Sequence, residues 1–396
     1  MNIKFVGIYL FAFLLPLPIP MKYTGMGLIV MICNLLVLTQ RNDITKLKTV
    51  IKNYLVILFF LYFLTDFLHA VVSFDFTETY YREVKLMFAI FPLIALLNSR
   101  VLFQQYENIL RFFFFGVVGY ISISWIYIIY YYTIKHPSYV FDFTDHYVVY
   151  VLAQEFPWAM HHTYIGLYIL CITTIIFYAT IISNKIKPII GWGLSILLLV
   201  NTFYIGGKST TMLLILFMIG ILFKSRLKKK ITKHYKYYVL GFVLAVVAGI
   251  MAIYEWLTIS VSQSLTLRGK IYDRCIEVIA EALPTGIGKS GLNKIPLDIQ
   301  QPEGKNLIPH NVHFNELIMN GVVGELILLS MLTYLLIVAY KHSTVFFIFV
   351  LSIVITGFME DLLTRQRGIL FFVFFSVIFY IKFVSYNNQK NTALNK

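Results

Sequence analysis

Apolar runs long enough to cross a lipid bilayer recur along the whole chain and leave room for little else. About twelve can be drawn. In the first half they are Phe5–Pro20, Tyr23–Thr39, Tyr54–Val72, Val84–Asn98, Ile109–Thr133 and Thr163–Ile182. In the second half they are Pro188–Tyr204, Ser209–Phe223, Tyr237–Leu257, Phe314–Tyr340, Ser343–Met359 and Gly368–Val384. A helical crossing takes ~17–25 residues. Hydrocarbon offers the backbone no hydrogen-bond partner, so each run must satisfy its own amides as a helix. The first, fourth, seventh and eighth runs are short. The seventh and eighth are separated only by Ile205-Gly206-Gly207-Lys208, which marks a tight pair or a re-entrant element. Composition points the same way, with 59% hydrophobic and 13% charged residues, against ~45–50% and ~25% in a soluble domain. The expected fold is an all-α polytopic transmembrane helix bundle of about twelve spans. Residues 1–257 carry spans one to nine, 258–313 form a large loop before span ten, 314–385 carry spans ten to twelve, and 386–396 form a tail.

The charge balance has to be read against that architecture. Lys and Arg number 33 against 19 Asp and Glu, a formal net charge of +14. On a soluble chain this excess points to nucleic acid. On a membrane chain it records orientation, because cytoplasmic loops collect Lys and Arg. With a cytoplasmic N-terminus and twelve crossings, 20 of the 33 cations fall on the cytoplasmic side, seven of them in the run Lys224–Lys236. The implied surroundings are membrane lipids, with no nucleic acid. Both termini are then cytoplasmic. The two long segments, about Ile134–His162 and about Thr258–His313, lie on the opposite face. Cys33, Cys171 and Cys275 offer neither a disulfide framework nor a paired-Cys metal spacing. The first run ends in Pro16, Pro18 and Pro20 instead of a small-residue cleavage site, so it reads as a retained helix.

The cations on the outer side are the informative minority. Arg82 and Lys85 precede span four, Lys208 separates spans seven and eight, Arg268 lies in the long loop, and Arg365 and Arg367 precede span twelve. Charges at a membrane boundary are costly and usually partnered. Snorkelling competes with phosphate binding as an explanation, and arginine's donor fork suits the latter. Where the long loop enters span ten, Pro309-His310-Asn311-Val312-His313-Phe314-Asn315-Glu316 brings two histidines, two amides and a carboxylate to the membrane surface. A neutral imidazole there is able to take a proton from a hydroxyl near neutral pH. His161-His162-Thr163-Tyr164 and Glu360-Asp361 form two further polar clusters on that side. Zinc is poorly supported, since adjacent histidines do not share a helical face and no span holds His-x-x-x-His. No Gly-x-Ser-x-Gly marks a serine hydrolase. Gly286-x-Gly288-x-x-Gly291 follows no strand pattern and reads as turn punctuation.

One arrangement resembles a known family. His310-Asn311, nine residues, then Gly321-Val322-Val323-Gly324 is similar to the signature of the bacterial O-antigen ligases. The stretch from Arg268 through Glu277 to Pro284-Thr285-Gly286-Ile287-Gly288 looks like that family's approach to a Pro-x-Gly-x-Gly turn. His162-Thr163-Tyr164 opening a span, and the Gly-rich link carrying Lys208, fit as well. The resemblance is specific over 265–325 and elsewhere is mostly hydropathy. It implies a GT-C-like membrane glycosyltransferase of the bacterial inner membrane with a periplasmic site and no cofactor or metal. The implied donor is O-antigen glycan on undecaprenyl pyrophosphate, and the implied acceptor is a sugar hydroxyl of lipid A–core. It implies His310 as the base and Arg268 at the donor pyrophosphate, with Lys208 where the family has arginine and with help from Arg82 or Lys85. Asn311, His313, Asp361, His162, Tyr164, Gly321 and Gly324 are the implied supporting residues. The nearest alternative is an O-antigen polymerase, which uses the same lipid-linked sugars. Transfer to a periplasmic protein and a polysaccharide transporter or flippase are further alternatives, the last drawing on Asp66 and His69 in span three.

Overall fold

The computed structural model describes residues 3–39, 46–72, 79–138, 151–152, 155–156, 160–227, 254–288 and 309–385. Among these the regular structure is helical throughout. The helices are α1 (Val6–Leu14), α2 (Met21–Leu38), α3 (Leu47–Ile51), α4 (Tyr54–Val72), α5 (Thr79–Leu97), α6 (Ser99–Tyr130), α7 (His162–Ile181), α8 (Pro188–Asn201), α9 (Lys208–Leu227), α10 (Tyr254–Ala282), α11 (Val312–His342), α12 (Thr344–Gly357) and α13 (Gln366–Tyr380). Eight segments are long and apolar enough to span a membrane, and Val84–Leu97 and Thr344–Gly357 are shorter apolar helices. The protein is an all-α polytopic membrane bundle. The run Phe5–Pro20 is helical only to Leu14, where the prolines end it. Most of the expected run Tyr237–Leu257 lies outside the described residues.

The chain forms two compact units. The first comprises Met1–Leu15, Lys22–Phe112 and Thr266–Lys396. At its centre is α13, in which every residue from Arg367 to Tyr380 is buried. A helix apolar all round belongs in an interior, and its phenylalanines supply the packing. Phe371 meets Phe349 edge-on with ring centroids 5.5 Å apart, and Phe374 meets Phe11 at 5.1 Å. By contrast α4 buries one stripe, with Leu55, Phe59, Tyr62, Asp66 and Ala70 inside and Phe60, Phe67, Leu68 and Val72 outside. Spacings of three and four place the first set on one face. The outward face is apolar because lipid is its solvent.

The second unit comprises Pro16–Met21 and Phe113–Leu265. Its centre is α7, buried at every position from Thr163 to Thr174. A π-helical turn, Thr202–Gly206, joins α8 to α9. It crosses α7 so closely that a Cβ on Gly166 falls 2.6 Å from the Gly206 carbonyl oxygen, a small-residue contact of the kind that lets membrane helices approach. Trp125 donates its indole N–H to Asn201 Oδ1 at 2.8 Å.

Two features depart from the hydropathy reading. The long segment before span ten is not all loop, because α10 occupies Tyr254–Ala282. Span ten is not one straight crossing either. Gly321 has φ 63° and ψ −157°, a region essentially confined to glycine, and it divides α11 into limbs of residues 312–320 and 322–342. The limbs fold back on one another. His313 Nδ1 lies 2.8 Å from Glu325 Oε1, although twelve residues of straight helix span about 18 Å. Gly324 permits the approach, since a Cβ there falls 2.4 Å from Asn320 Cβ and 2.6 Å from Glu316 Oε1.

The Pro284–Gly288 turn fills the corner. Val322 N–H donates to the Pro284 carbonyl at 2.9 Å. Ile287 and Gly288 N–H donate to the carbonyls of Ile318 and Met319 at 2.8 and 3.1 Å. These are carbonyls that a continuous helix would have paired with the amides four residues on. Behind the turn, Ile271, Cys275 and Val278 of α10 pack on Ile318. Gly321→Ala puts a side chain 2.2 Å from the Pro284 carbonyl oxygen and imposes backbone strain of about 1–3 kcal/mol. A lower melting temperature and a lower folded yield in detergent are the expected results. A variant as stable as the parent contradicts the interlock.

Candidate functional site

In the first unit the polar residues converge at the start of α11. Asn311 is its cap, with its side-chain oxygen accepting from the amides of His313 and Phe314 at 2.9 and 3.2 Å. A cap satisfies helix-end donors that otherwise lack partners. It also fixes His310 one residue outside the helix, where the side chain stays 31% exposed. The turn after α12 supplies the facing groups. His310 Nδ1 lies 3.2 Å from Glu360 Oε2. Arg268 of α10 donates to the Met359 carbonyl at 2.9 Å and places its other terminal nitrogen 3.7 Å from Glu360 Oε1. Tyr272, one helical turn further along α10, donates to the Phe358 carbonyl at 3.1 Å. Arg268 remains 28% exposed at its side chain, and a guanidinium carries five N–H donors. A cation and an imidazole thus face one carboxylate at a partly open corner.

Asp361 lies beneath this surface and is buried. Burial pushes its carboxyl above the ordinary value, opposed by the neighbouring polar groups of Thr364 and Asn315 and by the charges of Arg365 and His310. Asn315 is fully buried. Neither of its amide atoms closes a standard hydrogen bond among the described residues, so its interaction with Asp361 is one of proximity. The upward shift means that the folded protein binds this proton more tightly than the unfolded chain. The contribution to stability therefore falls as pH rises from the unfolded value towards the folded one, and is constant above that. Asp361→Asn is expected to raise the melting temperature at neutral pH, with the gain shrinking as pH falls towards about 4. A gain independent of pH contradicts the assignment.

A second set of polar groups holds the short limb of α11 from within the bundle. Glu316 accepts from Tyr62 at 3.0 Å and from Asn320 at 2.6 Å. Lys85 stands beside it, with its ammonium 2.8 Å from Asp66 Oδ1 and 5.0 Å from the centre of the Tyr62 ring. Lys85 is fully buried, and its ammonium is engaged with Asp66 in the interior. Removing one partner of such a pair leaves a buried charge and costs about 3–5 kcal/mol. Asp66, singled out by sequence as a transporter candidate, is the other half of the pair. Arg82 is in the first turns of α5, where side chains lie outside the described residues.

His313 is buried, bound to Glu325 and packed on the Phe358 ring at 4.5 Å. It locks the two limbs of α11 together. Gly321 and Gly324 form the corner already described. The second unit carries the remaining candidates. Lys208 is the first residue of α9 and follows Gly207, whose φ is 91°. The His162 ring packs against Gly207, since a Cβ on that glycine falls 2.6 Å from His162 Cδ2. Tyr164 is buried, with its ring 6.0 Å from that of His161.

Sequence reasoning noted Glu360 as polar without giving it a part, and it missed Tyr62, Tyr272, Asn320 and Glu325. The four-residue spacing of Glu316 and Asn320 inside an apolar run was the available signal for that pair.

The multispan helical membrane protein thus gathers basic and acid–base groups where a broken helix begins. Within it, residues 194–329 match the family model described as O-antigen ligase. The match covers about a third of the chain and includes Lys208, Arg268, the Pro284–Gly288 turn, His310 and the Gly321–Gly324 corner. It is the family that the sequence resembles. No curated protein matches the chain.

Proposed function

We propose that the protein is an O-antigen ligase. In this reading it moves polymerised glycan from undecaprenyl pyrophosphate to a sugar hydroxyl of lipid A–core at the periplasmic face of the inner membrane. The observation that carries it is the arrangement of His310, partly exposed and facing Glu360 at Nδ1, with Arg268 of α10 facing the same carboxylate. Glycosyl transfer from a lipid pyrophosphate needs a base for the attacking hydroxyl and positive charge for the departing anion. His310 Nε2 takes the hydroxyl proton as the hydroxyl oxygen bonds to the anomeric carbon. The bond from that carbon to the pyrophosphate oxygen breaks, and its electron pair leaves with undecaprenyl pyrophosphate. Arg268 offers its remaining donors to that anion. Lys208 is read as a phosphate-binding cation of its own unit. It keeps the charge of an arginine without the fork. It also stands at the positive end of the α9 dipole, where an anion is favourable.

The test is His310→Ala in a ligation assay on lipid-linked glycan. A positioned general base contributes about 10²–10⁴-fold, so a loss of that order in a folded variant is expected. Undiminished transfer by well-folded His310→Ala sinks the assignment.

A further inference from the structure

Among the described residues, Glu360 faces both halves of the proposed chemistry. Its two carboxylate oxygens go to different partners, Oε2 to His310 Nδ1 at 3.2 Å and Oε1 towards Arg268 at 3.7 Å. Its side chain is 10% exposed. Its backbone is held on both sides, with Glu360 N–H donating to the Thr356 carbonyl at 2.8 Å and its own carbonyl accepting from Leu362 at 3.0 Å. The turn is further tied to α10 by Arg268 at the Met359 carbonyl and Tyr272 at the Phe358 carbonyl.

We propose that Glu360 is a positioning residue that sets the His310 tautomer and joins base and phosphate cation into one rigid unit. The inference rests on the reading of His310 as the base. An ionised carboxylate only accepts hydrogen bonds. Facing Nδ1, it selects the imidazole form that carries its proton there and leaves the Nε2 lone pair to take a proton from the acceptor hydroxyl. Because the other oxygen faces Arg268, the same side chain sets the separation between the proton acceptor and the guanidinium. An amide at this position has one oxygen and a donor group. It can pair with the wrong tautomer, and it loses the charge that attracts Arg268.

The test uses the full chain reconstituted with lipid-linked glycan and lipid A–core. Glu360→Gln is expected to lower kcat by at least about tenfold, a fraction of what a general base supplies. Acceptor KM is expected to stay within about twofold, the signature of an interaction made in the transition state. Glu360→Asp keeps the charge and is expected to retain more activity than the amide. For Glu360→Ala, added formate is expected to restore part of kcat, because a small carboxylate can occupy the vacated place. Normal kcat in Glu360→Gln overturns the proposal. So does a loss that formate does not relieve and that raises acceptor KM in step, since that pattern marks a role in folding only. Full activity in His310→Ala instead removes the underlying reading, whatever Glu360 does.

Discussion

A helix that breaks inside a membrane protein exposes carbonyls and amides that hydrocarbon cannot satisfy, at a cost of several kcal/mol each. In this chain three backbone hydrogen bonds between the Pro284–Gly288 turn and the break at Gly321 meet that demand. Everything at the candidate site follows from them. The break lets the short limb of α11 turn back towards the longer one. The turn anchors the end of α10 against the corner. With α10 fixed, Arg268 and Tyr272 reach the carbonyls of Met359 and Phe358. With the short limb fixed, Asn311 caps it and His310 stands just outside. The Pro-x-Gly-x-Gly stretch and the His-Asn…Gly-x-x-Gly stretch are thus two halves of one joint.

The buried ionic groups do complementary work. Glu316 projects from the short limb into the bundle, where Tyr62 and Asn320 occupy its two oxygens. Lys85 and Asp66 pair beside it. Ionisable groups in this setting are expensive, and their return is a fixed limb. His313 and Glu325 clamp the limbs on the side of the corner that bears Phe358. The short limb is therefore held by backbone at its end, by carboxylate chemistry within and by an imidazole–carboxylate pair across the fold.

Much of this was legible in the residues, and the failures have physical causes. Hydropathy located the spans because lipid selects for apolar length. It did not reveal the break in span ten, since glycine and valine at 321–324 are as apolar as their neighbours and hydropathy carries no torsional information. It also hid α10, whose Arg268, Lys270, Asp273, Arg274, Glu277 and Glu281 make the segment look like a loop. The stripe Ile271, Cys275, Val278 and Ala282, buried at spacings of four and three, was the signal that a helical reading needed. The pairing of Lys85 was hidden because its partner Asp66 is 19 positions away on another helix. No local pattern distinguishes a lysine at a boundary from one paired in the interior. The part of Glu360 depends on its contact with a histidine 50 positions away, which only the fold brings about.

The most direct measurement is the product formed by purified protein in liposomes holding lipid-linked glycan and lipid A–core. The expected product of a ligase is glycan joined to lipid A–core, with one undecaprenyl pyrophosphate released per chain transferred. Glycan lengthening on the lipid carrier, with lipid A–core left unmodified, would contradict the ligase reading.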